Sequence, residues 1–168
     1  MRTANGIAHG SNGVTNSYDD SYALLSGSFG ADQTAQAVVY RDPSLPANGT
    51  HELELLLRFS DDNGNARGYE CLFNAYGGYD IVRWNGPFGD IKSLSLTQSG
   101  YLGRPLATGD VIKATIIGNV ITTYVNGELM ARAVDSTFTS GKPGISFFAP
   151  AGGNPALLGI TSYSVTTK

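Results

Sequence analysis

Hydrophobic and polar residues alternate most clearly between Gly109 and Asp135. In the first run Ile112, Ala114 and Ile116 fall on one face, and Lys113 and Thr115 on the other. Gly118-Asn119 breaks it, and Ile121, Thr123 and Val125 then alternate with Thr122, Tyr124 and Asn126. Asn126-Gly127 breaks the pattern again before Leu129 to Val134. A period of about two residues gives each strand one buried and one open face. Asn-Gly suits a type I′ hairpin, in which both central residues take positive φ. The stretch predicts an antiparallel meander of three strands.

The same reading extends along the chain. Residues 1–20 are rich in Gly, Asn, Ser and Asp, with Ile7 and Val14 as core anchors, and predict loop with at most one short strand. Strands are expected from Tyr22 towards Phe29, over Gln33–Arg41 and over His51–Ser60. In the last of these His51, Leu53, Leu55, Leu57 and Phe59 share a face opposite Glu52, Glu54 and Arg58. Leu56 on the polar side implies that this side is also partly covered. Asp61 to Arg67 reads as a polar loop. Tyr69–Tyr76 and Tyr79–Trp84 read as strands joined at Gly77-Gly78, and Ile91–Leu96 as another, with Asn85 to Gly89 a turn. Gly144–Ala149 and Leu157–Thr167 close the chain. About ten short strands with no sustained helical period predict an all-β, two-sheet antiparallel sandwich. No linker or repeat divides it, so residues 1–168 are expected to form a single β-sandwich domain with a poorly defined N-terminal segment over 1–20.

Composition narrows the partners. A formal net charge of −3, with Lys and Arg scattered singly, offers no basic stripe for phosphates, which excludes nucleic acid. No apolar run reaches the roughly 20 residues of a membrane helix, so no membrane insertion is expected. Cys71 is the only cysteine, and no intramolecular disulfide is possible. Met1 leads into polar residues rather than an apolar leader, and we expect a module cut from a larger multidomain chain.

Several stretches together resemble a known family. Gly109-Asp110-Val111-Ile112-Lys113-Ala114 leads to Tyr124-Val125-Asn126-Gly127, then to Asp135-Ser136, Ser140-Gly141-Lys142-Pro143-Gly144-Ile145 and the closing strand. Gly27-Ser28-Phe29, Ala31-Asp32-Gln33 and Tyr69-Glu70 to Tyr76 fit the same plan. This resembles the concanavalin A-like lectin/glucanase jelly rolls, specifically the laminin-G-like modules of bacterial secreted proteins, over residues 22–168. The resemblance implies a curved sandwich whose concave sheet often holds a carbohydrate, an extracellular setting, and in many members one structural calcium.

The richest candidate site comprises Glu70, Tyr76, Tyr79, Asp80, Arg83, Trp84 and Asn85, on two strands joined by the Gly77-Gly78 turn. Sugars present apolar C–H faces and hydroxyl rims. A site for them needs aromatic platforms beside hydrogen-bonding side chains on a rigid sheet. Trp84 is the first choice for the platform and Tyr79 the second. Alternation sets Asp80 and Trp84 against Tyr79 and Arg83, so one aromatic is expected to face the core.

Catalysis has weaker support. The family's glucanases carry Glu-x-Asp-x-x-Glu on one strand, and no such run is present. Glu52 and Glu54 lie opposite a leucine face and read as solvent-exposed. Glu70 and Asp80 opposing one another across the hairpin are the only acid/base pair in prospect. His9 and His51 are not placed as bases, and Cys71 reads as a buried apolar side chain. For metal, Asp61-Asp62-Asn63-Gly64-Asn65 matches a turn-forming cluster better than a calcium loop, because its glycine is at the wrong offset and the closing glutamate is missing. Asp19-Asp20 and Asp135 are further oxygen donors for a structural calcium. The expectation is a non-catalytic carbohydrate-binding module for a polysaccharide or glycan, requiring no cofactor. A structural or adhesive spacer is the alternative, and a polysaccharide-degrading enzyme using Glu70 and Asp80 the third.

Overall fold

A computed structural model of the chain describes residues 1–11, 20–87, 89–95 and 100–168. Expectations placed on Val14, Asp19, Phe88 and Leu96 lie outside the described residues. The described residues form fourteen strands: β1 Arg2–Ala4, β2 Ile7–His9, β3 Ala23–Leu24, β4 Gln33–Arg41, β5 Glu52–Asp62, β6 Asn65–Asn74, β7 Gly78–Pro87, β8 Ile91–Ser93, β9 Gly100–Tyr101, β10 Val111–Ile117, β11 Val120–Val125, β12 Glu128–Val134, β13 Lys142–Phe148 and β14 Leu158–Thr167. One turn of 3-10 helix, Pro155–Leu157, precedes the last strand. Two antiparallel sheets result. The first has the order β1-β2-β14-β4-β10-β11-β12, and the second β3-β13-β5-β6-β7-β8, with β9 also paired to β7.

The core lies between the sheets and is built as the alternation predicts. Ile112, Ala114, Ile116, Ile121 and Val125 of the first sheet meet Leu53, Leu55, Leu57, Tyr69, Cys71 and Phe73 of the second, all buried. Several polar groups enclosed there are bonded to one another or to the backbone. Thr123 Oγ1 accepts from Ala131 N at 3.1 Å, and the Tyr69 hydroxyl donates to Asp135 Oδ1 at 2.7 Å.

The turns follow their residues. Asn126 and Gly127 have φ of 53° and 83°, the type I′ pattern expected from the sequence. At Gly118-Asn119 only the glycine is positive, at 57°, which is the II′ pattern. Two further Asn-Gly pairs behave like Asn126-Gly127. Asn5-Gly6 joins β1 to β2, so the N-terminus contains a hairpin where mostly loop was expected. Asn63-Gly64 closes β5 on β6, which turns the expected polar loop into a tight reversal. Conversely, the strand expected from Tyr22 towards Phe29 is reduced to Ala23–Leu24.

One bulge reorients the second sheet. Register between β5 and β6 shifts between Leu57 and Ser60, and Arg58 takes a φ of 47°. Its guanidinium is buried, donating to the carbonyls of Ala31, Phe138 and Gly118 at 2.8–2.9 Å. The extra residue throws Phe59 to the outer face, where it joins Leu56, Ala66, Val82 and Trp84 in a second buried cluster. Strict alternation places Phe59 with Leu57 in the core; the bulge overturns that assignment.

Candidate functional site

The outer face of the second sheet carries most of the chemistry. Alternation on β5 sends Glu52, Glu54 and Leu56 outward while Leu53, Leu55 and Leu57 face the core. Register then aligns the neighbours. On β6 Asn74 lies opposite Glu52, Leu72 opposite Glu54, and Glu70 opposite Leu56. On β7 Asp80 lies opposite Leu72, Val82 opposite Glu70, and Trp84 opposite Gly68. On β13 Ser146 lies opposite Glu54. Glu70 and Asp80 therefore share a face but stand diagonally, one rung apart, rather than directly opposed.

This face has two ends of different character. Near the bulge it is closed. Trp84 is 4 % exposed, packed with Leu56, Phe59, Ala66 and Val82, with Tyr22 and Leu24 laid over them. The Tyr22 hydroxyl donates to Asp61 Oδ2 and ties this cover to the β5–β6 hairpin. Trp84 Nε1 donates to Glu70 Oε2 at 2.7 Å. The opposite end is open. Tyr76 is 38 % and Tyr101 58 % exposed, and their rings stack with centroids 6.3 Å apart and planes at 29°. Gly78 points to the outer face, and a Cβ there would meet the Tyr76 ring at 2.6 Å, so the ring lies flat against the sheet at a position only glycine leaves open. Asn74 Nδ2 donates to Glu52 Oε1 at 3.0 Å beside it.

The carboxyls between the two ends are unusual. Glu54 and Glu70 are buried, and Asp20, placed beside them by the Ser21–Phe147 backbone pair, brings a ligand oxygen within 4.8 Å of one from each. Burial, then the charge of Asp20, pushes the Glu70 pKa up to about 8, against the lowering effect of the Trp84 N–H. Burial first, with Glu70, Asp20 and Glu52 adding repulsion, holds Glu54 well above the usual carboxylate range. Ser146 stands beside Glu54 closely enough to lower its pKa somewhat, but without the geometry of a hydrogen bond. Glu54 Oε2 and Ser146 Oγ are both buried without a partner. Glu52 is pushed up to about 7 by burial, lowered by Asn74 and raised by Asp20. The exposed pair expected at Glu52 and Glu54 is thus enclosed at Glu54. The covering signalled by Leu56 is real.

The other sequence-selected residues separate. Tyr79 is half-buried against the inter-sheet core. Arg83, also on the inner side, leaves the sheet at its rim, donating to Asn85 Oδ1, Asp135 Oδ2 and Thr137 Oγ1 at 2.6–2.7 Å. Asn85 in turn donates to Asp90 Oδ1 at 3.0 Å. Asp80 Oδ1 accepts from Ser93 and Ser95 hydroxyls at 3.0 and 2.6 Å. Among the described oxygen donors, Asp61 and Asp62 serve their own turn, Asp61 also taking the Tyr22 hydroxyl, and Asp135 serves Tyr69, Arg83 and Thr137, while Asp20 enters the carboxyl cluster. Tyr101 and Ser146 were not singled out from the sequence. Tyr101 carries no periodic signal, and Ser146 acquires its meaning only from the β13–β5 register.

No protein-family model and no curated protein matches the sequence. Solved structures do. A carbohydrate-binding module, CBM66, from Bacillus subtilis aligns over 86 % of this chain and 92 % of its own, at 20 % identity and a TM-score of 0.59. Sheep galectin-11 in complex with glycerol aligns over 86 % and 96 %, at 13 % identity and a TM-score of 0.58. Alginate lyase A1-II′, of polysaccharide lyase family 7, aligns over 99 % and 85 %, at 13 % identity and a TM-score of 0.58. At such identities the likeness is one of fold. The chain has a jelly-roll β-sandwich fold, the fold it shares with a carbohydrate-binding module, a galectin and a lyase.

Proposed function

We propose that this chain is a non-catalytic carbohydrate-binding module that holds a glycan against the open end of the second sheet. The observation that carries the reading is the Tyr76–Tyr101 pair: two exposed, stacked rings braced on Gly77-Gly78, beside the Glu52–Asn74 pair on the same face. The platform expected of Trp84 falls to Tyr76 instead, because the indole is enclosed. Glu70 and Asp80 line the same face behind it, while Tyr79, Arg83 and Asn85 shape the strand from its other side. Burying one or two ring faces against a sugar contributes roughly 1.5–3 kcal/mol each, which sets affinity on the order of millimolar after the cost of association.

The catalytic alternative has one feature in its favour, two carboxyls, Glu54 and Glu70, with oxygens within 4.8 Å. That is no wider than the roughly 5 Å of a retaining glycosidase. Both are buried, however, and the cavity beside Glu70 measures about 10 Å³, the room of one water and not of a sugar ring. The binding reading is tested by a glycan-array screen followed by calorimetry on Tyr76→Ala and Tyr101→Ala. Loss of binding in both is expected. Binding unchanged in both would move the site elsewhere. Release of reducing ends or unsaturated products, abolished by Glu70→Gln, would make the protein an enzyme.

A further inference from the structure

The enclosed carboxyls contribute nothing to the proposed sugar contact, and their arrangement is costly as it stands. Glu54 is 1 % and Glu70 5 % exposed, and no Lys, Arg or His pairs with either among the described residues. Burying like charges together is strongly unfavourable unless a counter-charge or protons compensate. Two buried polar atoms also lack partners: Glu54 Oε2, and Ser146 Oγ on a residue 2 % exposed. Ser146 lines the same small cavity as Asp20, Glu70 and Trp84. An unpartnered buried hydroxyl on a space of about 10 Å³, with an unpartnered carboxyl oxygen on the neighbouring strand, is what a bound ion satisfies.

We propose that Asp20, Glu54 and Glu70, with the Ser146 hydroxyl, form a site for a divalent cation, calcium by its chemistry, that fastens the chain ahead of β3 to the outer face of the second sheet. The donors are all oxygen, the set of a hard cation, with no thiol or imidazole to favour zinc or copper. The oxygens all lie within 4.8 Å of one another, inside the roughly 5.2 Å that a calcium shell spans. Two of the three carboxylates sit on adjacent rigid strands and the third on the covering segment, so an ion bridges cover to sheet. Raised carboxyl pKa values are the ion-free counterpart of the same crowding. The inference does not rest on the glycan reading.

The chain supplies its own reporter. Trp84 is the only tryptophan, and its indole is bonded to Glu70, one of the proposed ligands. Terbium, a calcium mimic, added to metal-stripped protein should luminesce on tryptophan excitation, and calcium should displace it. Calcium at a hundredfold over its Kd should raise Tm by about 5–10 °C. Both effects should vanish in Glu54→Gln and Asp20→Asn. Glu54→Gln removes a buried charge and should fold in chelator at least as stably as the unmodified chain, so its loss of response cannot be blamed on unfolding. Absence of luminescence and of a Tm shift at millimolar calcium would overturn the proposal and leave protons as the compensating charge. A response that persists in both variants would place the cation elsewhere and overturn it equally.

Discussion

Trp84 Nε1 donates to Glu70 Oε2 at 2.7 Å, so the single tryptophan is held to an acidic cluster from outside the sheet rather than packed between the sheets. This bond decides how the residue behaves when altered. Trp84→Ala should cost about 3–5 kcal/mol, as for other large buried aromatics. Trp84→Phe should cost less, about 1–3 kcal/mol, most of it from leaving the buried Glu70 without its donor. Urea midpoints at constant m-value measure both; a cost below about 1 kcal/mol for the alanine would show the ring to be open.

Tyr76→Ala and Tyr101→Ala should do the reverse. Both rings are substantially exposed, so each change should alter stability by less than about 1 kcal/mol while removing glycan binding. Thermal melts alongside calorimetry separate these effects. A large stability loss at either position would make the pair a structural clasp and not a platform.

Two glycines test turn strain against crowding. Gly127 has a φ of 83° with no atom within 4 Å of an added Cβ, so Gly127→Ala should cost about 1 kcal/mol from backbone strain alone. Gly141, at a φ of 148°, lies directly against the Arg58 backbone, where an added Cβ overlaps it. Gly141→Ala should cost at least twice as much, because it both strains its own backbone and displaces the bulge. Equal denaturation midpoints for the two variants would contradict that account.

Asp110 provides a pH test. It accepts from both Arg104 guanidinium nitrogens, Ala107 N and Asn126 Nδ2 at 2.7–2.9 Å. Burial alone would raise its pKa, but the Arg104 and Asn126 bonds, the Ala107 N–H and the Arg104 charge outweigh it and hold the carboxyl below its ordinary value. A depressed folded pKa means stability that is present above the unfolded value, near 4, and lost as pH falls through the folded value. Asp110→Asn should therefore cost about 1.5–3 kcal/mol at pH 7, with the gap to the unmodified chain narrowing as pH drops below about 4. Denaturation curves at both pH values check it; a constant gap would mean that the carboxylate is not depressed.

The sequence determined by itself what depends on neighbours a few residues apart. Alternation over Ile112–Val125 and Leu53–Leu57 dictated which side chains meet between the sheets, and Asn126-Gly127 dictated a I′ turn, because side-chain direction and φ preference are local properties. Asn5-Gly6 and Asn63-Gly64 carry the same local signal, but the polar residues around them read as loop, and both proved to be hairpins. Tertiary structure decided the rest. Phe59 left the core because Arg58 found three carbonyl acceptors, on Ala31, Phe138 and Gly118, at long range, and accommodating them inserts a bulge that no local pattern announces. Glu54 became enclosed with Ser146 arriving opposite it from ninety-two residues further along, and Asp20 came beside it because Ser21 pairs with Phe147. Trp84 is enclosed where an open platform was expected, while Tyr76 on the same hairpin stays exposed, because exposure depends on what lies over a sheet face, which alternation, fixing only the face, does not specify.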